Sequence, residues 1–485
     1  MKNIFKILLF AGFLLTFFNC TKEDEIPTDV EINDFVWKAM NAYYLYQDQI
    51  PDLADRRFHN QPELNTFLRR YTTPNELFTN LIFDRPTSDN KSVLLDDYNL
   101  IQQPAKRISI THGIEYGVIN EPGSATNVIG FVKYVLPNSG AATQNIKRGD
   151  FFYAVDNMQL TRGNFATLLE GSTTPFELYM ANFDGTTLMP NGQKVPLTKT
   201  SYTHKSVFMS KKIVIGTNNV GYLVYNNDFS SNYLSDLNTE FLHLKNQGVN
   251  QLVIDLRYNI GGGSFVSNIN QIASMITGQF KDKPFVKNRW NSKAQSWFEL
   301  NQPDSLIVNF TDKLHNATPI NSLEVTDVYL ILNGSSSSSV ELLINSLKSY
   351  INVHVINNTT TSGNNTGSIT LYNSIDYDSI GKSTNHTVAV QPIALEFLNK
   401  DDTTYKTGFN PDLTICSEED VLNLGVLGDI SEPILNEVIN FINGIPPNPP
   451  TVCNQNNFSF IYNSVRNQQI IDVGVFIKQD LPNTN

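Results

Sequence analysis

The chain has 485 residues, 40% of them hydrophobic and 11% aromatic, enough apolar material for about three domains and too much for wholesale disorder. Its 35 Lys and Arg face 47 Asp and Glu, a formal charge of −12, so the basic face that a nucleic acid needs is missing. Three cysteines are too few for a disulfide-built scaffold.

Residues 1–19 open with Lys2 and Lys6 and continue into an apolar stretch from Ile7 to Phe18. A charged start and a short apolar run make a secretory signal, and the run falls short of the ~20 residues that span a bilayer. Cys20 stands directly at the expected cut, so the segment resembles a bacterial lipoprotein signal, although Phe17 and Asn19 depart from the usual leucine-like and small residues. The following Thr21-Lys22-Glu23-Asp24-Glu25 resembles the export tag of Bacteroidetes surface lipoproteins. These resemblances imply lipidation of Cys20 and an outer-membrane lipoprotein, facing the periplasm or the cell surface and touching the membrane only through its anchor. In an oxidising compartment Cys416 and Cys453 could pair; the sequence leaves that open.

Residues 29–100 read as a helical N-terminal domain. Ile32, Phe35, Val36, Ala39, Met40 and Tyr43 recur at helical spacing after the polar start Thr28-Asp29, and Pro51, Pro62 and Pro74 punctuate the segment into short helices. Trp37, Tyr43, Tyr44 and Tyr46 could line a sugar or peptide site, but their spacing fits core residues better.

From 105 to 200 the pattern changes to short β runs. Gly130-Phe-Val-Lys-Tyr-Val-Leu-Pro-Asn-Ser-Gly140-Ala-Ala, followed by Ile146-Lys-Arg-Gly-Asp-Phe-Phe-Tyr-Ala-Val155, resembles a PDZ domain, in which Gly149 supplies the turn and Phe151, Tyr153 and Val155 alternate. The resemblance implies capture of peptide C-termini by strand addition; a spacer that binds nothing is the alternative.

Residues 205–443 read as α/β. Val220–Tyr225 and Leu252–Leu256 are buried strands on either side of a helix marked by Leu234, Leu237, Phe241 and Leu244, a right-handed βαβ unit. Val328–Leu332 enters a serine run and a second helix, and Asn352–Ile356 returns to the sheet. Residues 444–485 are a Pro-rich linker, Pro446-Pro-Asn-Pro-Pro450, and a tail without a strong signal.

Asp255-Leu-Arg-Tyr-Asn-Ile-Gly-Gly-Gly263, the serine-rich turn and Gly367-Ser-Ile-Thr-Leu-Tyr372 resemble the catalytic domain of C-terminal processing (tail-specific) serine peptidases. Gly408-Phe-Asn-Pro-Asp412 and Leu427-Gly-Asp429, with Glu432-Pro433, echo its later segments. The match covers roughly residues 30–443. It implies a multidomain α/β fold: a helical N-terminal segment, a β-rich PDZ-like domain and an α/β peptidase domain of the ClpP/crotonase-like type.

The family's nucleophile is a serine three residues before a glutamate at a helix start, which here is Ser338 ahead of Glu341. A helix N-terminus points free N–H groups outward, where an oxyanion can bind; the resemblance gives that role to the backbone at Ser339 and Gly261, with Gly262 beside it. Ser338-Ser339-Val340-Glu341 is also a capping box, serine as N-cap, and both roles can hold together.

The family's general-base lysine is missing. Asn364 stands at its position in Thr359-Thr-Thr-Ser-Gly-Asn364-Asn-Thr-Gly367, and no lysine lies between Lys348 and Lys382. Serine needs a neighbouring base, and an amide is not one. Lys382, Lys400, His354, His112 and His204 are the candidate substitutes, and the acidic residue that orients the lysine has no clear counterpart near Ser349 and Asn352. Two functions stay in view: a serine peptidase acting on extended polypeptide tails, and a pseudopeptidase that grips peptides without cutting. No cofactor is expected: the seven histidines show no His-Glu-x-x-His spacing, and Gly261–Gly263 lacks the Lys-Ser/Thr of a phosphate loop.

Overall fold

The computed structural model describes residues 26–100, 108–171, 175–261, 265–334, 336–416, 420–445, 458–467 and 475–477. The expectations for the signal at 1–19, Cys20, Gly262, Cys453 and the proline run 446–450 fall outside them.

The N-terminal part is helical, with helices at Glu31–Tyr43, Gln61–Leu68 and Pro74–Asn80. The first buries Phe35, Val36, Ala39, Met40 and Tyr43. Its N-cap is Val30, with no side-chain bond, rather than the expected polar pair; Asp29 is instead held by Arg69 at 2.8 Å. The next two helices carry a proline in the first turn, Pro62 and Pro74, and are properly capped: Asn60 accepts from Glu63 N, and Thr73 and Glu76 form a reciprocal capping box. Proline fits there because a first-turn N–H has no helical partner to lose. Trp37, Tyr43 and Tyr44 are buried in the main core.

The β-rich part is a sheet whose neighbours run Phe460–Asn463, Ile114–Asn120, Val128–Val135, Phe151–Val155, Phe176–Phe183 and Leu188–Leu197. One cluster holds Phe152, Val155 and Leu169 of the helix Phe165–Glu170, and another holds Phe151, Ile119 and Phe183. The expected alternation of Phe151, Tyr153 and Val155 does not hold. A register shift between Phe152 and Ala154 interrupts it and assigns Phe151 and Val155 to different clusters.

The α/β part is built on a six-stranded sheet in the order Met209–Ile215, Asn218–Val224, Gln251–Asp255, Asp327–Ile331, Asn352–Asn357 and Leu413–Thr414. The first pair is antiparallel and the rest are parallel. Parallel strands are covered on both faces and so read as continuous apolar runs. Helices Ser231–Asn246, Val266–Thr277 and Ser338–Lys348 contribute to one cluster, and Pro433–Ile442 contributes to another. A five-stranded sheet (Ile307–Asn309, Pro284–Trp290, Ile393–Leu398, Thr366–Ser368, Val475–Phe476) stands beside it.

A buried ionic cluster in the α/β part is reached from the β-rich part by Arg148. The Arg257 guanidinium bonds Asp255 Oδ2 and Glu432 Oε1, each at 2.7 Å. Glu432 also caps the helix Pro433–Ile442, accepting from Leu435 N at 2.7 Å. Arg148, on the turn between Val128–Val135 and Phe151–Val155, donates to Lys133 O at 2.7 Å and Leu424 O at 3.2 Å and lies 3.9 Å from Glu432.

Candidate active site

The strand Asp327–Ile331 delivers the chain through the serine run to the helix Ser338–Lys348. Ser338 is its first residue; the N-cap is Ser337, whose side chain makes no capping bond. The Ser338–Glu341 capping box therefore does not form. Glu341 turns away from the helix start because stronger partners lie elsewhere: its carboxylate, fully buried, accepts from Gly363 N at 2.6 Å and Asn364 N at 2.9 Å. Two charge-assisted bonds pin the loop before Thr366–Ser368 to the helix. Gly363 is essential to the path: its φ is +77°, and a Cβ there would lie 2.3 Å from Lys406 O. Burial, with the Glu341 charge adding to it, drives the neighbouring Tyr405 phenol well above its ordinary pKa, so that hydroxyl stays protonated.

This tether brings Asn364 to Ser338. Asn364 Nδ2 donates to Ser338 Oγ at 2.8 Å, while Asn364 Oδ1 accepts from Thr366 Oγ1 at 2.8 Å. Among the described residues, Asn364 is the one hydrogen-bond partner of the Ser338 hydroxyl. Ser338 itself is 2% exposed, so a substrate reaches it only after something moves. Nearby, Ser336 Oγ and Asn365 Nδ2 are buried without a hydrogen-bond partner among the described residues.

Ser339 lies in the first helical turn, where backbone N–H groups have no intrahelical acceptor; its hydroxyl is 3.0 Å from Ser337 Oγ. Gly261 approaches from the other side. It has φ +62°, and a Cβ on it would lie 2.9 Å from Ser337 Cβ. Its N–H, however, donates to Asn259 Oδ1 at 3.1 Å and is not free for an oxyanion in this arrangement.

The substitute bases are all engaged elsewhere. Lys382 Nζ sits 3.9 Å over the Tyr98 ring, Lys400 pairs with Asp401 at 2.7 Å, and His354 stacks on Tyr329 and faces Asp327 at 3.4 Å. His204 meets Ser109 Oγ at 2.7 Å. His112 accepts from Ile114 N at 3.3 Å, and burial lowers its pKa to about 4. Asn352 bonds Asp327 at 3.0 Å. No cluster of three metal-ligating side chains occurs among the described residues. Cys416 is disulfide-bonded. Sequence reasoning missed the Glu341 tether and the Thr366 bond, whose partners are brought together only by the fold.

Residues 31–90 match the Peptidase S41 N-terminal domain and residues 219–415 match Peptidase family S41. A Bacteroides fragilis NCTC 9343 protein assigned as an S41 protease shares the fold with a TM-score of 0.61 at 22% identity, over 84% of this chain and 97% of that one. The photosystem II D1 C-terminal processing protease aligns over 84% of this chain and 97% of its own, at 17% identity and a TM-score of 0.44. No curated protein matches the chain. With the two S41 segments in chain order over more than half its length, the chain belongs to peptidase family S41.

Proposed function

We propose that this S41 chain is a cell-envelope lipoprotein, anchored through Cys20, that grips extended polypeptide segments and hydrolyses them poorly or not at all. The PDZ-like part supplies strand addition, and Ser338, buried at rest, meets the segment that the family would cut only once the structure around it moves. The observation that carries this reading is the 2.8 Å bond from Asn364 Nδ2 to Ser338 Oγ. A lysine amine at that position would accept the serine proton; an amide offers no basic lone pair.

Chemically, Ser338 would attack a peptide carbonyl, the Ser339 N–H would hold the developing oxyanion, and the proton would have no acceptor. The attack therefore stalls at its first step. The test is hydrolysis of casein or a fluorogenic peptide by the unsubstituted protein, by Ser338→Ala and by Asn364→Lys. Equal background rates in the first two support binding without cutting. A Ser338-dependent rate in the unsubstituted protein overturns it and favours the active-peptidase reading.

A further inference from the structure

Two sheet edges in different parts of the molecule are closed by the same C-terminal segment. Phe460–Asn463 runs antiparallel along Ile114–Asn120, with Phe460 opposite Ile119, Tyr462 opposite Val118 and Asn463 opposite Gly117, and it is the outermost strand. Val475–Phe476 runs parallel to Thr366–Ser368, with Val475 opposite Gly367 and Phe476 opposite Ser368, again outermost. On its other side Phe476 bridges Phe265. The tail thus lies between the chain leaving the Gly261 turn, which touches Ser337, and the strand that comes after Asn364, which touches Ser338.

The seating is specific as well as general. The Tyr462 ring lies 5.7 Å from the Tyr116 ring and 5.3 Å from the Phe165 ring. Two residues on, Ser464 Oγ accepts from Tyr116 N at 2.8 Å and donates to Glu115 Oε2 at 2.5 Å. Val475, Phe476 and Ile477 are buried. Backbone pairing supplies affinity for any extended chain, and side-chain seats supply selectivity.

The geometry points to residues 458–467 as a built-in competitor: an extended polypeptide with an aromatic residue two positions before a serine or threonine binds the Ile114–Asn120 edge by displacing them. This rests on the polypeptide-gripping reading above. A tethered competitor acts at millimolar effective concentration, so it weakens the same peptide added in trans.

The probe is a fluorescein-labelled synthetic peptide of residues 458–477, followed by anisotropy with the full-length chain and with its Tyr462→Asp/Ser464→Ala form. The substituted chain should bind about tenfold or more tightly than the unsubstituted one, and a probe carrying the same two changes should lose that binding. Equal affinity for both chains, or binding to neither, overturns the proposal. Should the double variant fold poorly, Ser464→Ala alone should shift affinity the same way. Hydrogen exchange on the unsubstituted chain gives a further reading: excess peptide should expose the amides of 460–463 while those of 117–119 stay protected, and unchanged protection of 460–463 counts against displacement. Anisotropy reads binding whether or not Ser338 turns over, so failure here and failure of the catalytic reading are separate results.

Discussion

Glu341 and Asn364 are joined through the Asn364 backbone N–H at 2.9 Å, and the Asn364 side chain in turn touches Ser338 Oγ at 2.8 Å. The position that determines the chemistry is therefore fixed by main chain, not by the identity of residue 364. A longer side chain can be grafted there with its starting point unchanged.

Asn364→Lys should accordingly gain hydrolysis that depends on Ser338. General-base assistance is worth roughly 10²–10⁴ in rate. Initial rates on a fluorogenic peptide should rise by about that factor over the unsubstituted protein and return to background in Asn364→Lys/Ser338→Ala. A rise that survives loss of Ser338 would point to a contaminant, and no rise at all would mean that the remaining machinery is not assembled.

Glu341→Ala should destabilise the fold. It orphans one buried and one half-buried N–H group, at roughly 1–3 kcal/mol each, for a total of about 2–6 kcal/mol. Urea unfolding should show a lower midpoint with an unchanged slope. A change below about 0.5 kcal/mol, the range of ordinary surface substitutions, would mean that water replaces the carboxylate.

His112 sets a pH dependence. Burial lowers its folded pKa to about 4, with Glu170 opposing and Lys199 assisting, from the usual 6.5. The unfolded chain then carries the extra proton between those values, so stability falls as pH drops from 6.5 towards 4 and is fully present above 6.5. The contribution is up to about 3 kcal/mol. In His112→Gln, which keeps an acceptor near Ile114 N, the acid loss measured by urea titration should shrink by that amount; an identical profile would assign the loss to other groups.

Arg257→Met leaves Asp255 and Glu432 facing each other in a buried site. Removing one partner of such a cluster costs about 3–5 kcal/mol, and equilibrium denaturation should show a loss of that size. A neutral result would mean that the two carboxylates are protonated or hydrated in the variant.

The strands at Val220, Leu252 and Val328 were legible because parallel strands, covered on both faces, are spelled as unbroken apolar runs. Ser338 and Asn364 could be singled out through the resemblance to C-terminal processing peptidases, and their side chains lie in hydrogen-bond contact. What escaped was tertiary. A local rule assigned Glu341 to cap its own helix, but a loop 22 residues away took its carboxylate. The alternation through Phe151 failed at a register shift that no residue type announces. Phe460–Asn463 is four residues long with partly exposed side chains, so its apolar pattern is weak; only pairing with Ile114–Asn120 makes it a strand.

The Glu432 carboxylate is shared by Arg257, by the first turn of a helix and, more distantly, by Arg148 from the other sheet. Swinging the β-rich sheet away would take Arg148 from that carboxylate and leave Arg257 as its guanidinium partner, whereas loosening the two-residue edge strand Val475–Phe476 breaks only a few backbone bonds.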